Sequence, residues 1–140
     1  MMERVIFDTD LYIDWLREGA REELMLEAPF LRYMSAVVLM ELRAGAFTPA
    51  AIRAVEDLQA TFSRTRRLLS PTPETFWRAG AVLATAQRRF GYDLKKRMRL
   101  AHDCLIVLSS RQIGATVFTH NGRDFAAIRR VAPFKLVVVL

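Results

Sequence analysis

Short, unbroken apolar runs alternate along this chain with longer segments of helical periodicity, and that alternation restricts the fold more than any other feature. Val5 to Phe7 reads as a buried strand, Phe30 to Met34 as a second and Arg66 to Leu69 as a brief third. Thr116 to Thr119 and the Val-rich stretch Phe134 to Leu140 complete the set. Between them lie helical patterns. Leu11, Ile13, Trp15 and Leu16 share one, with Thr9 or Asp10 as its cap and Gly19 as its break. Arg21 to Glu27 reads as a short helix. Ala36 to Ala44 follows Ser35 as N-cap and stops at Gly45. Pro49 to Phe62, Glu74 to Phe90, Arg97 to Gln112 and Asp124 to Arg130 are further helices, the second closed by Gly91 and the third by Gly114. Continuous apolar strands alternating with helices signal a parallel sheet covered on both faces. With 140 residues, 52% of them hydrophobic, the expectation is one α/β domain over residues 1–140 with one core. In such folds function sits at the carboxyl ends of the strands, near a switch in strand order.

Acids interrupt this apolar pattern at telling places. Asp8 ends the first strand and Asp10 follows two residues later. Glu41 sits in Ala36-Val-Val-Leu-Met-Glu-Leu, a helix apolar nearly all round. Asp103 is embedded in Leu100-Ala-His-Asp-Cys-Leu-Ile-Val-Leu108, and Asp124 closes Thr119-His-Asn-Gly-Arg-Asp124. Each acid also has an ordinary reading. Asp8 caps a helix, Glu41 reaches solvent, Asp103 pairs with Arg99 one turn earlier, and Asp124 is the N-cap of the helix from Phe125. Asn121-Gly122 is then a simple turn. Taken together these readings weaken, because two of the four acids lie inside apolar helices, where burying a charge is costly. Two unit charges ~4 Å apart repel by about 4 kcal/mol at an effective dielectric near 20. If the four acids meet, they need raised pKa values or a cation. All-oxygen ligands suit Mg²⁺ or Mn²⁺ rather than zinc. His102 and His120, with the single Cys104, make no zinc site and read as packing or hydrogen-bonding residues.

The formal charge of +6 favours polyanionic partners such as RNA. Lys95, Lys96, Arg97 and Arg99 open the helix that carries Asp103, either at the rim of an acidic cleft or as a solvated helix start. A lone cysteine excludes an intramolecular disulfide and fits a reducing compartment. No secretory signal and no membrane span are expected.

These residues resemble the PIN-domain ribonucleases, and within them the VapC-type toxins of bacterial toxin–antitoxin pairs. The resemblance spans almost the whole chain. "FDTD" with "LYIDWL" looks like the opening motif and "SAVVLMELRAG" the second, with Glu41 as its acid. "AHDCLIVLSSRQIGATVFTHNGRDF" is similar to the third and fourth, ending in a Thr-x-Asn-x-x-Asp-Phe pattern. The resemblance implies a three-layer α/β/α sandwich with a central, mostly parallel sheet. It implies a Mg²⁺- or Mn²⁺-dependent endoribonuclease, with Asp8 and Asp103 as principal metal ligands and Glu41 and Asp124 completing the catalytic acids. Thr9, Asp10, Thr119 and Asn121 are then supporting residues. Lys95, Lys96, Arg97, Arg99 and Arg123 are the RNA-binding candidates. The implied substrate is tRNA or ribosomal RNA, and the implied partner is a cognate antitoxin. A cytoplasmic homodimer is expected. Asp10 stands where the family more often has Asn, Ser or Thr. Two alternatives stay open: a haloacid-dehalogenase-type phosphatase using Asp8 and Asp10, and a non-catalytic PIN-fold domain that binds RNA or protein.

Overall fold

The computed structural model describes residues 2–140. Strands β1 (Glu3–Phe7), β2 (Phe30–Ser35), β3 (Leu68–Leu69), β4 (Thr116–Thr119) and β5 (Lys135–Val138) form one sheet in the order β3-β2-β1-β4-β5. Every pairing is parallel, so the sheet is parallel throughout rather than mostly so. The helices are α1 (Thr9–Glu18), α2 (Ala36–Ala44), α3 (Pro49–Arg64), α4 (Pro73–Phe90), α5 (Met98–Ile113) and α6 (Arg123–Arg129). The chain moves outward from β1 to β2 and β3, then crosses back to β4 and β5. Right-handed crossovers therefore put α1–α3 on one face and α4–α6 on the other. The packing agrees: α1 meets α2 and α2 meets α3, while α4, α5 and α6 meet one another. This is the parallel sheet, covered on both faces, that the alternating pattern predicts, and the α/β/α sandwich that the resemblance implies.

The core lies between the sheet and the two helical layers. Val5, Ile6 and Phe7 are within 1% of complete burial, because β1 is the central strand and both its faces are covered. Phe7 packs edge-on against Tyr12 and Phe118, with centroids 6.2 and 5.6 Å away.

Some local expectations fail for identifiable reasons. The helix expected over Arg21 to Glu27 is a single π-type turn, Glu23–Glu27, closed by the Ala28 N–H donating to the Glu23 carbonyl at 2.7 Å. So short a segment cannot offset helix nucleation, and Pro29 holds Ala28 extended. The third strand shrinks to Leu68–Leu69 because Arg66 has φ 57°, which a strand cannot accommodate. The last strand covers only Lys135–Val138 and is not buried: it is the sheet edge, and Val138 is 52% exposed. Lys95 and Lys96 lie in a turn before α5, which begins at Met98.

Candidate active site

The switch in strand order falls between β1 and β4, where the chain diverges to opposite sides of the sheet. Their carboxyl ends are tied together: the Asp8 N–H donates to the Phe118 carbonyl at 2.9 Å. Asp8, not Thr9 or Asp10, caps α1. Its backbone is extended, and Oδ1 accepts the Thr9 N–H at 2.8 Å. Oδ2 accepts the Thr119 hydroxyl at 3.0 Å. Asp8 is thus both helix cap and buried carboxylate, 2% exposed.

Asp103 faces it from α5. That helix is sandwiched between the sheet and its neighbours, so Leu100, Cys104, Ile106 and Val107 are fully buried, and Asp103 with them at 4% exposure. No ion pair joins it to Arg99 among the described residues, contrary to the ordinary reading. Its Oδ1 is buried without a hydrogen-bond partner. Burial chiefly, then the nearby Asp8 charge, raises the Asp103 carboxyl to about 8; Arg99 pulls the other way. Burial, then Asp10, raises Asp8 to about 6.

Asp124 is not an N-cap. Gly122 holds that position with no side-chain bond, and Asp124 lies in the first turn of α6, paired with the Arg97 guanidinium. A cleft of about 180 Å³ is lined by Asp8, Asp103 and Asp124 on one hand, Arg97, Arg99 and Arg123 on the other, with Asn121. Lys95 and Lys96 are not in its lining. Glu41 is not either. It is half-buried beside the cleft, accepting the Thr9 hydroxyl at 2.8 Å, with the His102 ring Nδ1 3.4 Å away. Its charge still reaches Asp103 and raises that carboxyl further.

Asp10 grips the loop after β4. Its Oδ2 accepts the backbone N–H of His120 at 3.1 Å and of Asn121 at 2.9 Å. Its Oδ1 is buried without a hydrogen-bond partner. Two long-range contacts in this region gave no sequence signal. Arg21 bonds Asp14 at 2.9 Å, His120 at 2.8 Å and the Leu140 carbonyl at 3.0 Å. Gly122 approaches β5 so closely that a Cβ there would lie 2.4 Å from Val138 Cγ2.

The model for the PIN domain matches residues 5–131. The chain belongs to the PIN-domain family. That membership removes the haloacid-dehalogenase alternative. No curated protein matches this PIN domain, but solved structures share its fold. A DNA-bound VapBC from Salmonella typhimurium is 22% identical, with TM-score 0.69 and 98% of each chain covered. VapBC-1 from nontypeable Haemophilus influenzae is 21% identical, with TM-score 0.67, covering 96% of this chain and 97% of that one. A toxin–antitoxin complex from Klebsiella pneumoniae is 23% identical, with TM-score 0.62 and coverage of 94% and 98%.

Among the described residues, no three His, Cys, Asp or Glu side chains form a ready-made metal cage. The donor set nevertheless fits a hard divalent cation. It is all oxygen, it includes an unpartnered buried carboxylate oxygen on Asp103, and its members disfavour one another's charge.

Proposed function

We propose that this PIN domain is a Mg²⁺- or Mn²⁺-dependent endoribonuclease, the toxin of a toxin–antitoxin pair, that cuts tRNA or ribosomal RNA and so blocks translation. One observation carries the reading: two almost fully buried carboxylates, Asp8 and Asp103, face a single small cleft with three arginines on its wall. Buried like charges without structural pairing are poor stability devices, and their retention fits a site that works with a cation.

Asp8 and Asp103 would hold the cation, with Asp124 beside them and Glu41 acting through its charge from the rim. When bound, it supplies Lewis acidity toward a phosphate oxygen and a water of lowered pKa. The protein does the rest. Thr119 and the Thr9 N–H fix the Asp8 carboxylate. Asp10 fixes the loop that presents Asn121. Arg99 and Arg123 neutralise the RNA phosphates that the acids would otherwise repel. Metal uptake would favour the charged form of Asp103, whose carboxyl burial and the Asp8 charge otherwise push up. The structural relatives include toxin–antitoxin complexes, which supports a cognate antitoxin as partner. An apolar groove of about 480 Å³ beside α1 and α3, reaching Trp15, Leu16 and Leu26, offers it a surface.

The test is cleavage of end-labelled tRNA and ribosomal RNA by the purified chain with Mn²⁺, with Mg²⁺ and with EDTA. Cleavage should require the metal. Asp103→Asn should lower its rate at least about 100-fold, the scale seen when even outer supports of a metal site are lost. Metal-independent cleavage, or full activity in Asp103→Asn, would remove the proposal. Binding without cleavage in every metal would leave a non-catalytic RNA-binding domain.

A further inference from the structure

Arg97 enters the acidic cleft from the residue just before α5, where the backbone (φ −134°, ψ 57°) is still outside the helical region. Its guanidinium pairs with Asp124 Oδ1 on one side. On the other, its central carbon lies 4.8 Å from the Tyr92 ring centroid, within cation–π range. Both partners of the ion pair are partly withdrawn from water, with Asp124 at 17% and Arg97 at 35% side-chain exposure. Arg99 and Arg123 line the same cleft and form no ion pair among the described residues. Asp8 and Asp103 form none either. Among the described residues, Asp124 alone of the three cleft acids has a cation in place, and that cation is covalently part of the chain.

We propose that Arg97 is a built-in counter-ion that holds Asp124 while the cleft contains no divalent cation, so that the metal must displace it to gain Asp124 as a donor. This rests on the metal-dependent reading above. A guanidinium in contact with Oδ1 and a divalent cation on the same carboxylate repel each other, so the two occupancies compete. The Tyr92 ring, 4.8 Å from the guanidinium carbon, is a contact that Arg97 can keep when it gives up Asp124. Arg97 thereby lowers metal affinity below what the acids alone would provide, and it compensates charge in the metal-free protein.

The experiment is Mn²⁺ titration of the full chain, without RNA, followed by calorimetry or by the electron paramagnetic resonance of free Mn²⁺. Arg97→Gln should tighten Mn²⁺ binding about fivefold, the equivalent of about 1 kcal/mol for a partly exposed ion pair. Arg99→Gln removes an equal charge from the same cleft without breaking a pair, and its effect should be clearly smaller. In the Asp124→Asn background, Arg97→Gln should change Mn²⁺ affinity by less than about twofold, because its competitor site is gone. Thermal melts give a second readout: the rise in melting temperature on adding Mn²⁺ should be larger for Arg97→Gln than for the parent. Equal tightening by Arg97→Gln and Arg99→Gln, or an undiminished effect in the Asp124→Asn background, would overturn the assignment in favour of a general field. A parent chain that binds Mn²⁺ and an Arg97→Gln variant that binds it no better would overturn the Arg97 role alone. A parent chain that binds no Mn²⁺ would overturn the metal site and this proposal together.

Discussion

At the scale of single residues, the two buried aspartates set the pH behaviour of the metal-free protein. Both carboxyls are raised from 3.8, Asp8 to about 6 and Asp103 to about 8. The folded chain therefore binds more protons than the unfolded chain between about pH 4 and pH 8, and stability falls as pH rises through that window. Asp8 contributes to the lower part and Asp103 to all of it. Melting curves in EDTA should show the fall. Asp103→Asn should flatten it above pH 6 and raise stability at pH 8 by about 2 kcal/mol, a modest share of the burial penalty it relieves. A parent profile that rises from pH 6 to pH 8 would contradict the burial argument. Asp10 makes the opposite case, since its carboxylate satisfies two backbone N–H groups of the β4–α6 loop. Asp10→Ala should cost about 1–3 kcal/mol and Asp10→Asn less, because the amide keeps one acceptor oxygen. Chemical denaturation measures the difference.

At the scale of elements, the position of α6, and with it Asp124, depends on how the β4–α6 loop meets β5. The Val139 N–H donates to the Thr119 carbonyl at 2.8 Å, and Gly122 lies directly against Val138. The glycine has φ −88°, a conformation open to any residue, so space and not backbone freedom excludes a side chain. Gly122→Ala should destabilise by about 1–3 kcal/mol through overpacking, and Val138→Ala should restore most of that stability. If the double variant is no more stable than Gly122→Ala alone, the close approach to Val138 is not what matters. Apart from the π-type turn at Glu23–Glu27, element identity was legible from periodicity, whereas the ends were not. The first turn of α5 shows why. Arg97 reads as helical from its neighbours, but its side chain is drawn to Asp124, 27 residues away, and its backbone stays outside the helix.

For the molecule as a whole, a net charge of +6 coexists with a buried cluster of acids. On the proposed function, the positive exterior would draw in a polyanion and the acids would await a compensating cation. Among the described residues no helix is long and apolar enough to cross a membrane. In an Asp8→Asn background, chosen to suppress cleavage on the proposed function, RNA affinity should fall steeply with salt. Lys95→Gln with Lys96→Gln should flatten that slope by about 0.7 for each phosphate of single-stranded RNA that the lysines neutralise, with little change in sequence preference. Unchanged affinity and slope would make the two lysines solvated turn residues only, consistent with their place outside the cleft lining. Fluorescence anisotropy across a salt series measures both.

The sequence by itself determined the layer architecture, because uninterrupted apolar strands tolerate only a sheet covered on both faces. It also marked Asp8, Glu41, Asp103 and Asp124 as anomalous: Asp8 ends an apolar strand, Glu41 and Asp103 lie inside apolar helices, and Asp124 follows a strand after a short turn. It could not decide which acids share a cleft. Asp8, Asp103 and Asp124 meet because β1 and β4 are neighbours at the switch point and α5 packs across them, a matter of strand order and not of spacing. Nor could it show that Glu41 stands outside the lining, held by Thr9 and His102, or that Arg97 closes on Asp124. Those choices are made by interactions between residues far apart in the chain, where periodicity carries no information and only the packed fold decides which charge faces which.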